Sequence, residues 1–229
     1  MRYKAIAFDG NNYYLSSYRN DKITRLDENF NVSNYIQTNR AYHFICYDYA
    51  LDCFWAAENN CSYKIYKLDK AFKVCDIIYI SAYDVITGIA VCSESDNLLI
   101  SLSKSVVSIN KKTGGQITRY AAAQNEWIFA VCSVAPYIIF ASEKSGKTQI
   151  KIMSGENEYL RNLEVSPRQI VEDLLFIPNI KSQTLKILLR EGEDTNDLVE
   201  IPLDFLKIWV CNYSCCKKIN PKILLGPSN

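Results

Sequence analysis

The feature that most constrains the fold is a short pattern, Leu-Asp-x-x-Phe-x-Val, which occurs twice in the chain. The copies span residues 26–32 and 68–74, and a degraded third copy begins at Ile109-Asn110, after nearly the same interval. A regular step of roughly 40 residues, with strand-like sequence between the copies, is typical of an array of β units. The pattern therefore predicts a repeat protein.

Four apolar runs recur within each unit and predict four strands. Unalternated runs favour strands covered on both faces, and runs that alternate apolar with polar residues favour half-buried strands. The second runs span 13–17, 53–57, 97–101 and 137–141; alternating third runs span 22–26, 64–68 and 149–152; the fourth runs span 32–36, 74–80, 116–120 and 159–165. Four strands per unit of about 40 residues is the blade of a β-propeller. Along the second strands, Leu15, Trp55, Leu99 and Ile139 are predicted to be equivalent and buried.

The predicted architecture is all-β: a β-propeller of about five four-stranded blades, or six if the C-terminal tail forms strands. A fraction of 48% apolar residues and the lack of a charged linker favour one domain over residues 1–229. The fifth unit is weaker, with candidate strands at 171–177, 185–189, 198–203 and 206–211. The predicted blades span roughly 2–41, 42–82, 83–123, 124–168 and 169–212, followed by a tail at 213–229.

The chemical inventory is small. His43 is the one histidine, and at the start of a predicted strand we expect a structural role for it. Asp27 and Asp69 follow third strands, where aspartate makes turns. Cys211, Cys215 and Cys216 lack the second ligand pair that structural zinc requires. We expect no catalytic residues, bound metal or cofactor.

Partners and location are constrained by charge and by apolar runs. Lys+Arg 26 against Asp+Glu 25 gives a net charge of +1, which does not favour nucleic acid. Residues 1–9 lack the apolar core of a signal peptide, and no apolar run approaches the roughly 20 residues of a membrane span. Nine cysteines, mostly single within apolar strands, suit free thiols. We expect a cytoplasmic protein without membrane contact.

The unit formed by residues 42–48, 52–56 and 65–69 resembles the repeats of NHL-type and gluconolactonase-like propellers, over about residues 2–165. The resemblance implies a propeller used mostly as a binding platform. It also implies an enzymatic branch that hydrolyses lactones on a divalent metal, held in part by a glutamate on the first strand. The matching strand here, residues 4–9, contains no glutamate.

Two functions follow as predictions. The first is a non-catalytic platform that binds a protein or a small polar ligand, and the alternative is a metal-dependent hydrolase of the lactonase type. Whether the protein is an enzyme stays open, with non-catalytic binding favoured. Connections into first strands gather at one end of a propeller channel, the usual place for a ligand, although the same aromatics could instead plug the channel. The candidate ligand-binding residues at that end are Tyr42, His43, Tyr83, Asp84, Glu126 and Trp127.

Overall fold

Antiparallel β-strands account for all the regular secondary structure in the described part of the chain. A computed structural model describes residues 2–18, 20–58, 63–81, 84–92, 95–154, 159–165, 169–177, 184–191, 195–202 and 222–223. Within these ranges, no helix has the length and hydrophobicity needed to cross a membrane.

The strands form five sheets of four, and the order in each sheet follows the chain. Blade 1 contains β1 (Tyr3–Phe8), β2 (Tyr13–Ser17), β3 (Lys22–Leu26) and β4 (Val32–Gln37). Blade 2 contains β5 (Tyr42–Asp48), β6 (Cys53–Glu58), β7 (Lys64–Leu68) and β8 (Val74–Tyr79). Blade 3 contains β9 (Ile86–Val91), β10 (Asn97–Leu102), β11 (Ser105–Asn110) and β12 (Gln116–Ala121). Blade 4 contains β13 (Glu126–Val134), β14 (Tyr137–Lys144), β15 (Lys147–Ser154) and β16 (Tyr159–Glu164).

Blade 5 contains β17 (Gln169–Phe176), β18 (Thr184–Glu191), β19 (Thr195–Pro202) and β20 (Lys222–Ile223). Its outer strand differs from the sequence expectation, because Lys222–Ile223 pairs with β19 from within the predicted tail. The candidate strand at 206–211 lies outside the described residues. The prediction of a five-bladed all-β propeller is confirmed.

The repeated heptapeptide is the hairpin between the third and fourth strands. In blade 1, one carboxylate oxygen of Asp27 accepts hydrogen bonds from the backbone N–H groups of Asn29 and Asn31. Phe30 adopts a left-handed conformation with φ 63°, and its ring stacks on Tyr13 at 4.4 Å between centroids. That ring contact offsets the strain of positive φ at a bulky residue.

Blade 2 repeats this hairpin. Asp69 accepts from the N–H groups of Ala71 and Lys73, and Phe72, at φ 60°, stacks on Phe54 at 4.5 Å. The expectation that both aspartates make turns is confirmed. In the degraded third copy, Asn110 accepts from the N–H groups of Lys112 and Thr113, and Gly114 supplies the positive φ one position later than Phe30 and Phe72 do.

The first strand of every blade lies innermost, and each carries a register shift near its start. The residue skipped by the pairing sits at the same place in each blade: Lys4, His43, Thr87, Phe129 and Glu172. This shared β-bulge aligns the inner strands residue by residue. Two positions beyond it, Ile6, Ile45, Ile89, Val131 and Leu174 each join the apolar cluster facing the preceding blade.

Five apolar clusters fill the five seams between blades. Trp55, Leu99 and Ile139 are equivalent and buried, as predicted, and they face the following blade. Leu15 is buried as predicted but is not equivalent to them, because it faces blade 5. Trp55 pairs with Cys46, three residues after the bulge of blade 2, and the residue that pairs at the same distance from the bulge of blade 1 is Tyr14, opposite Ala7. A shift of a single position along a strand exchanges its two faces.

Small residues let the inner strands converge. A Cβ added at Gly88 would lie 2.7 Å from Ser101 Oγ and 3.0 Å from Ala130 Cα on the inner strand of blade 4. Such short contacts are sterically prohibited without movement, so glycine is required by this close approach. Ala5, Ala7, Ala90 and Ala130 are the alanines of the inner strands.

The ring closes between blades 5 and 1 without exchange of a strand, since β17 to β20 form one sheet and β1 to β4 another. Polar contacts join the two blades. Asp173 Oδ2 accepts from the N–H of Ile6 at 2.8 Å, and Asn196 Oδ1 accepts from the N–H of Tyr3 at 2.8 Å. The Glu172 carboxylate pairs with Arg2 and Lys4 of blade 1.

Candidate functional site

The two ends of the central channel differ in structure. The starts of the inner strands, with the loops between second and third strands, form the end at which the sequence predicted a site. The opposite end is formed by the last residues of the inner strands. Of the six predicted site residues, Tyr83 lies outside the described residues, and the other five fall into two groups.

Asp84 and Trp127 are brought together at the start of blades 3 and 4 by Lys104. The Asp84 carboxylate accepts from the backbone N–H of Lys104 at 2.9 Å and from the Ser103 hydroxyl. The Lys104 Nζ lies 3.8 Å from the centroid of the Trp127 ring, a cation–π contact. We call Asp84, Val85, Lys104 and Trp127 the Trp127 patch.

The Trp127 patch is exposed but well anchored. The Trp127 and Val85 side chains are 51% and 43% exposed. Lys104 Nζ donates to the carbonyl of Glu126 at 2.6 Å, and the N–H of Ile128 donates to the carbonyl of Ser103. The loop of blade 3 is thereby fixed against the start of β13, and the indole ring is held in place at the surface.

Glu126, next to this patch, points inward. Its carboxylate accepts from Lys151 Nζ and from the Tyr120 hydroxyl, the latter at 2.7 Å. Burial pushes the pKa of Glu126 up, but the hydrogen bonds from Lys151 and Tyr120 outweigh burial, so the net shift is downward. The carboxylate stays ionised and buried, which makes it a support for the strand start and not a surface for ligand.

Tyr42 and His43 lie in blade 2, apart from the Trp127 patch. Tyr42 is 2% exposed and packs edge-on against Tyr66. His43 is the bulge residue of β5, and its Nε2 lies 2.8 Å from the carbonyl oxygen of Tyr18. Burial lowers the pKa of His43, which keeps the imidazole neutral. Both residues contribute to packing between blades 1 and 2.

A cavity of about 690 Å³ occupies the opposite end of the channel. Every inner strand contributes to its lining. The deep wall is apolar and includes Ile6, Ile89, Leu174 and Phe176. Tyr49, Leu51 and Asp96 stand at the exposed mouth.

One buried ion pair lines this cavity. Lys111 Nζ lies 2.7 Å from Asp48 Oδ2, with both side chains buried. The Trp55 indole N–H donates to the same oxygen at 3.1 Å. The other oxygen of Asp48 accepts from the N–H groups of Ala50 and Leu51. The carboxylate is saturated by protein donors, and Lys111 is held at the cavity wall.

Three cysteines from consecutive blades, Cys46, Cys92 and Cys132, also line the cavity. Burial raises the pKa of the Cys46 and Cys132 thiols well above the ordinary value, so these two groups stay protonated. A neutral thiol is a weak nucleophile and a poor metal ligand. Throughout the described ranges, no cluster of three or more His, Cys, Asp or Glu side chains is placed to hold a metal ion.

Sequence reasoning missed Asp48 and Lys111 as a pair. Tyr47-Asp48 aligns with Phe8-Asp9 in the repeat, but that alignment gives no indication of a cationic partner. Lys111 occupies a variable position within the degraded third heptapeptide copy and has no sequence signal of its own.

Comparison with solved structures supports the fold. A chain of Kuenenia stuttgartiensis hydrazine synthase is similar with a TM-score of 0.54 and 10% identity, covering 87% of this chain and 62% of that one. A chain of a nidogen/laminin complex is similar with a TM-score of 0.56 and 13% identity, covering 70% and 62%. The β-propeller domain of Myceliophteria thermophila Cps50 (Swd1) gives a TM-score of 0.55 and 10% identity, covering 97% and 72%.

This chain therefore spans less than two thirds of the first two of these proteins, and the low identity shows the fold alone. No family model matches the chain, and no curated protein matches it. The propeller is thus shown, whereas the resemblance to NHL-type and gluconolactonase-like repeats stays a prediction.

Proposed function

We propose that this protein is a non-catalytic interaction platform that binds a partner protein through the Trp127 patch. The observation that carries the proposal is an exposed tryptophan whose position is fixed by Lys104 at the blade 3–blade 4 boundary. Binding hot spots are enriched in tryptophan, and a ring that is already immobilised loses little entropy on binding.

An exposed apolar side chain alone is ordinary on a protein surface. Three features set Trp127 apart: the neighbouring exposed Val85, the cation on its ring, and the hydrogen bonds that fix the loop beneath it. Within the described residues, no carboxylate lies at ion-pair distance from Lys104 Nζ, whose acceptors are the carbonyls of Glu126 and Gln124. A partner segment with an apolar side chain beside a carboxylate fits this surface.

Neighbouring structures are compatible with a binding role. The nidogen/laminin structure is a protein complex by its description. Free thiols at Cys46, Cys53, Cys75, Cys92 and Cys132 suit a reducing cytoplasm, where the proposal places the protein. The lactonase alternative gains no support from the described residues, which bring no three metal-competent side chains together.

The test is quantitative affinity capture from a lysate of the source organism, with wild type, Trp127→Ala and the matched control Tyr35→Ala. Tyr35 is a surface aromatic on the outer strand of blade 1, exposed to a similar degree. We expect a specific partner retained by wild type and Tyr35→Ala, and lost by Trp127→Ala with an unchanged melting temperature. Equal capture by all three proteins would overturn the proposal.

Lys104 provides a second arm. If a partner carboxylate meets this ammonium group, Lys104→Met should weaken capture and reduce its dependence on salt. Lys147→Met, an exposed lysine at the blade 4 hairpin, is the control.

A further inference from the structure

The cavity at the other end of the channel has the size and construction of a ligand site. Its volume of about 690 Å³ lies within the range of roughly 300–1,000 Å³ common for small-molecule pockets. Because all five inner strands line it, its deep wall is made of hydrogen-bonded β-structure, and loop residues such as Tyr49 and Asp96 surround its mouth. A ligand would therefore meet a preformed site.

The residues of the cavity wall determine which chemical groups the main part of the ligand can carry. Ile6, Ile89, Leu174 and Phe176 present apolar surface, and the protonated thiols of Cys46 and Cys132 behave as small apolar groups. A charged group placed against this wall would lose hydration without a partner. The chemistry favours an apolar body.

Lys111 provides a cationic hydrogen-bond donor in the cavity wall. An ammonium group has three N–H donors, and the Asp48 carboxylate takes one of them at 2.7 Å. Asp48 already accepts four hydrogen bonds and has no capacity for a ligand donor. The ion pair is neutral as a unit, so a hydrogen-bond acceptor without net charge suits the remaining Lys111 donors best.

We propose that the channel cavity binds an uncharged, mainly apolar small molecule that carries a carbonyl-type acceptor for Lys111. This site is separate from the Trp127 patch and lies at the opposite end of the channel. The proposal does not depend on partner binding.

Four related probes separate the alternatives: acetophenone, ethylbenzene, benzoate and benzylamine, compared by ligand-observed NMR titration. We expect acetophenone to bind about tenfold more tightly than ethylbenzene, since one hydrogen bond to a charged donor contributes on this scale. Benzoate and benzylamine should bind more weakly still. Equal binding of acetophenone and ethylbenzene, or preferred binding of either ion, would overturn the proposal.

Alkylation of the cavity thiols shows whether a probe binds in the cavity. Cys46 and Cys92 are half-buried in the cavity wall, whereas Cys75 is exposed on the outer strand of blade 2. Iodoacetamide alkylation followed by peptide mass spectrometry should show acetophenone slowing modification of Cys92 but not of Cys75. Binding that protects none of the cavity thiols would place the probe elsewhere and overturn the assignment.

Substitutions test Lys111. Lys111→Met should remove the preference for acetophenone over ethylbenzene, and Lys112→Met should retain it, because the Lys112 side chain is 77% exposed and pairs with Asp96. Lys111→Met leaves Asp48 buried without its cation, so the double variant Asp48→Asn/Lys111→Met is included to preserve folding. A preference retained in the folded double variant would rule out Lys111 as the donor.

Discussion

Two seams of this ring differ in their balance of apolar and polar contacts. The interior seam between blades 2 and 3 is filled mainly by buried apolar side chains around Trp55, Ile65 and Leu98, and the Asp48–Lys111 ion pair also joins its two blades. The closing seam between blades 5 and 1 has a smaller apolar cluster among the described residues, around Leu15 and Leu188. It adds the directional contacts of Glu172, Asp173 and Asn196.

The difference between the two seams follows from whether their blades are consecutive in the chain. Blades 2 and 3 follow each other in the chain, so a short connection already limits how they can meet. Blades 5 and 1 have no such connection and share no strand. Apolar packing is non-directional, whereas hydrogen bonds and ion pairs between fixed atoms select one register. At the closing seam, hydrogen bonds and ion pairs therefore fix the relative position of the two blades. At the other seams, the chain that connects the blades already limits this position.

The largest expected effect is in the interior seam. Trp55→Ala removes a fully buried ring and a hydrogen bond to Asp48, so the free energy of unfolding should fall by about 4–5 kcal/mol. Urea denaturation measures this. A loss below about 1 kcal/mol would contradict the interior packing described for this seam.

The next effect is a pH dependence from the closing seam. Burial raises the pKa of Asp173 to about 8. A raised pKa means that its contribution is fully present below the ordinary value of 3.8 and is lost as pH rises toward 8. Asp173→Asn keeps an acceptor for the N–H of Ile6 and removes the titration. Between pH 4 and pH 7, the free energy of unfolding of Asp173→Asn should rise by about 3–4 kcal/mol relative to that of wild type, at roughly 1.4 kcal/mol per pKa unit.

The control for that titration is Asp27→Asn. Backbone hydrogen bonding to Asn31 lowers the pKa of Asp27, so any trend with pH should have the opposite sign. Parallel unfolding curves for Asp173→Asn and wild type across this range would show that Asp173 is ionised in the folded protein, and the account of the seam would fail.

A smaller effect tests the ion pairs of the same seam. Glu172 is 1% exposed and receives Arg2, Lys4 and Arg190 at 2.6–3.0 Å. Glu172→Gln should lower the free energy of unfolding by about 2–3 kcal/mol. This loss is smaller than that expected for a fully buried ion pair, because the cations are partly exposed. Glu58→Gln is the matched control, since Glu58 pairs with an exposed Arg40. Equal losses in the two variants would indicate that the closing seam does not depend on Glu172.

The smallest effect lies within a blade and touches neither seam. Asp69→Ala removes the acceptor for two backbone N–H groups in the blade 2 hairpin. We expect a loss of about 1 kcal/mol in thermal or urea unfolding. A loss as large as that of Glu172→Gln would mean that the hairpins, and not the seams, dominate stability.

The sequence predicts much of this fold because its signals are local. The heptapeptide hairpins, the second-strand runs and the number of blades all follow from periodicity. The predicted equivalence of Leu15 with Trp55 was wrong by one position, because the first hairpin of blade 2, counted from the bulge, contains two more residues than that of blade 1, and periodicity alone does not locate such a change. The outer strand of blade 5 pairs across a long stretch of chain, where no repeat signal guides the assignment.

Site prediction was limited in a different way. Asp84 and Trp127 were identified by their positions before inner strands, and the structure links them through Lys104. Tyr42 looked equally favourable in sequence, but its burial depends on Tyr66 and the neighbouring blade. The Asp48–Lys111 pair joins two blades, so only the assembled ring places those groups together.

The close approach at Gly88 bears on how such a ring can grow by duplication of its units. The inner strands of blades 3 and 4 approach closely because the side chains at Gly88 and Ala130 are absent or small, and a sixth copy would change the angle at which neighbouring inner strands meet. Larger residues would then be needed along the axis before the enlarged ring became well packed. The sizes of a few central side chains thus record how many copies of the unit the protein accommodates.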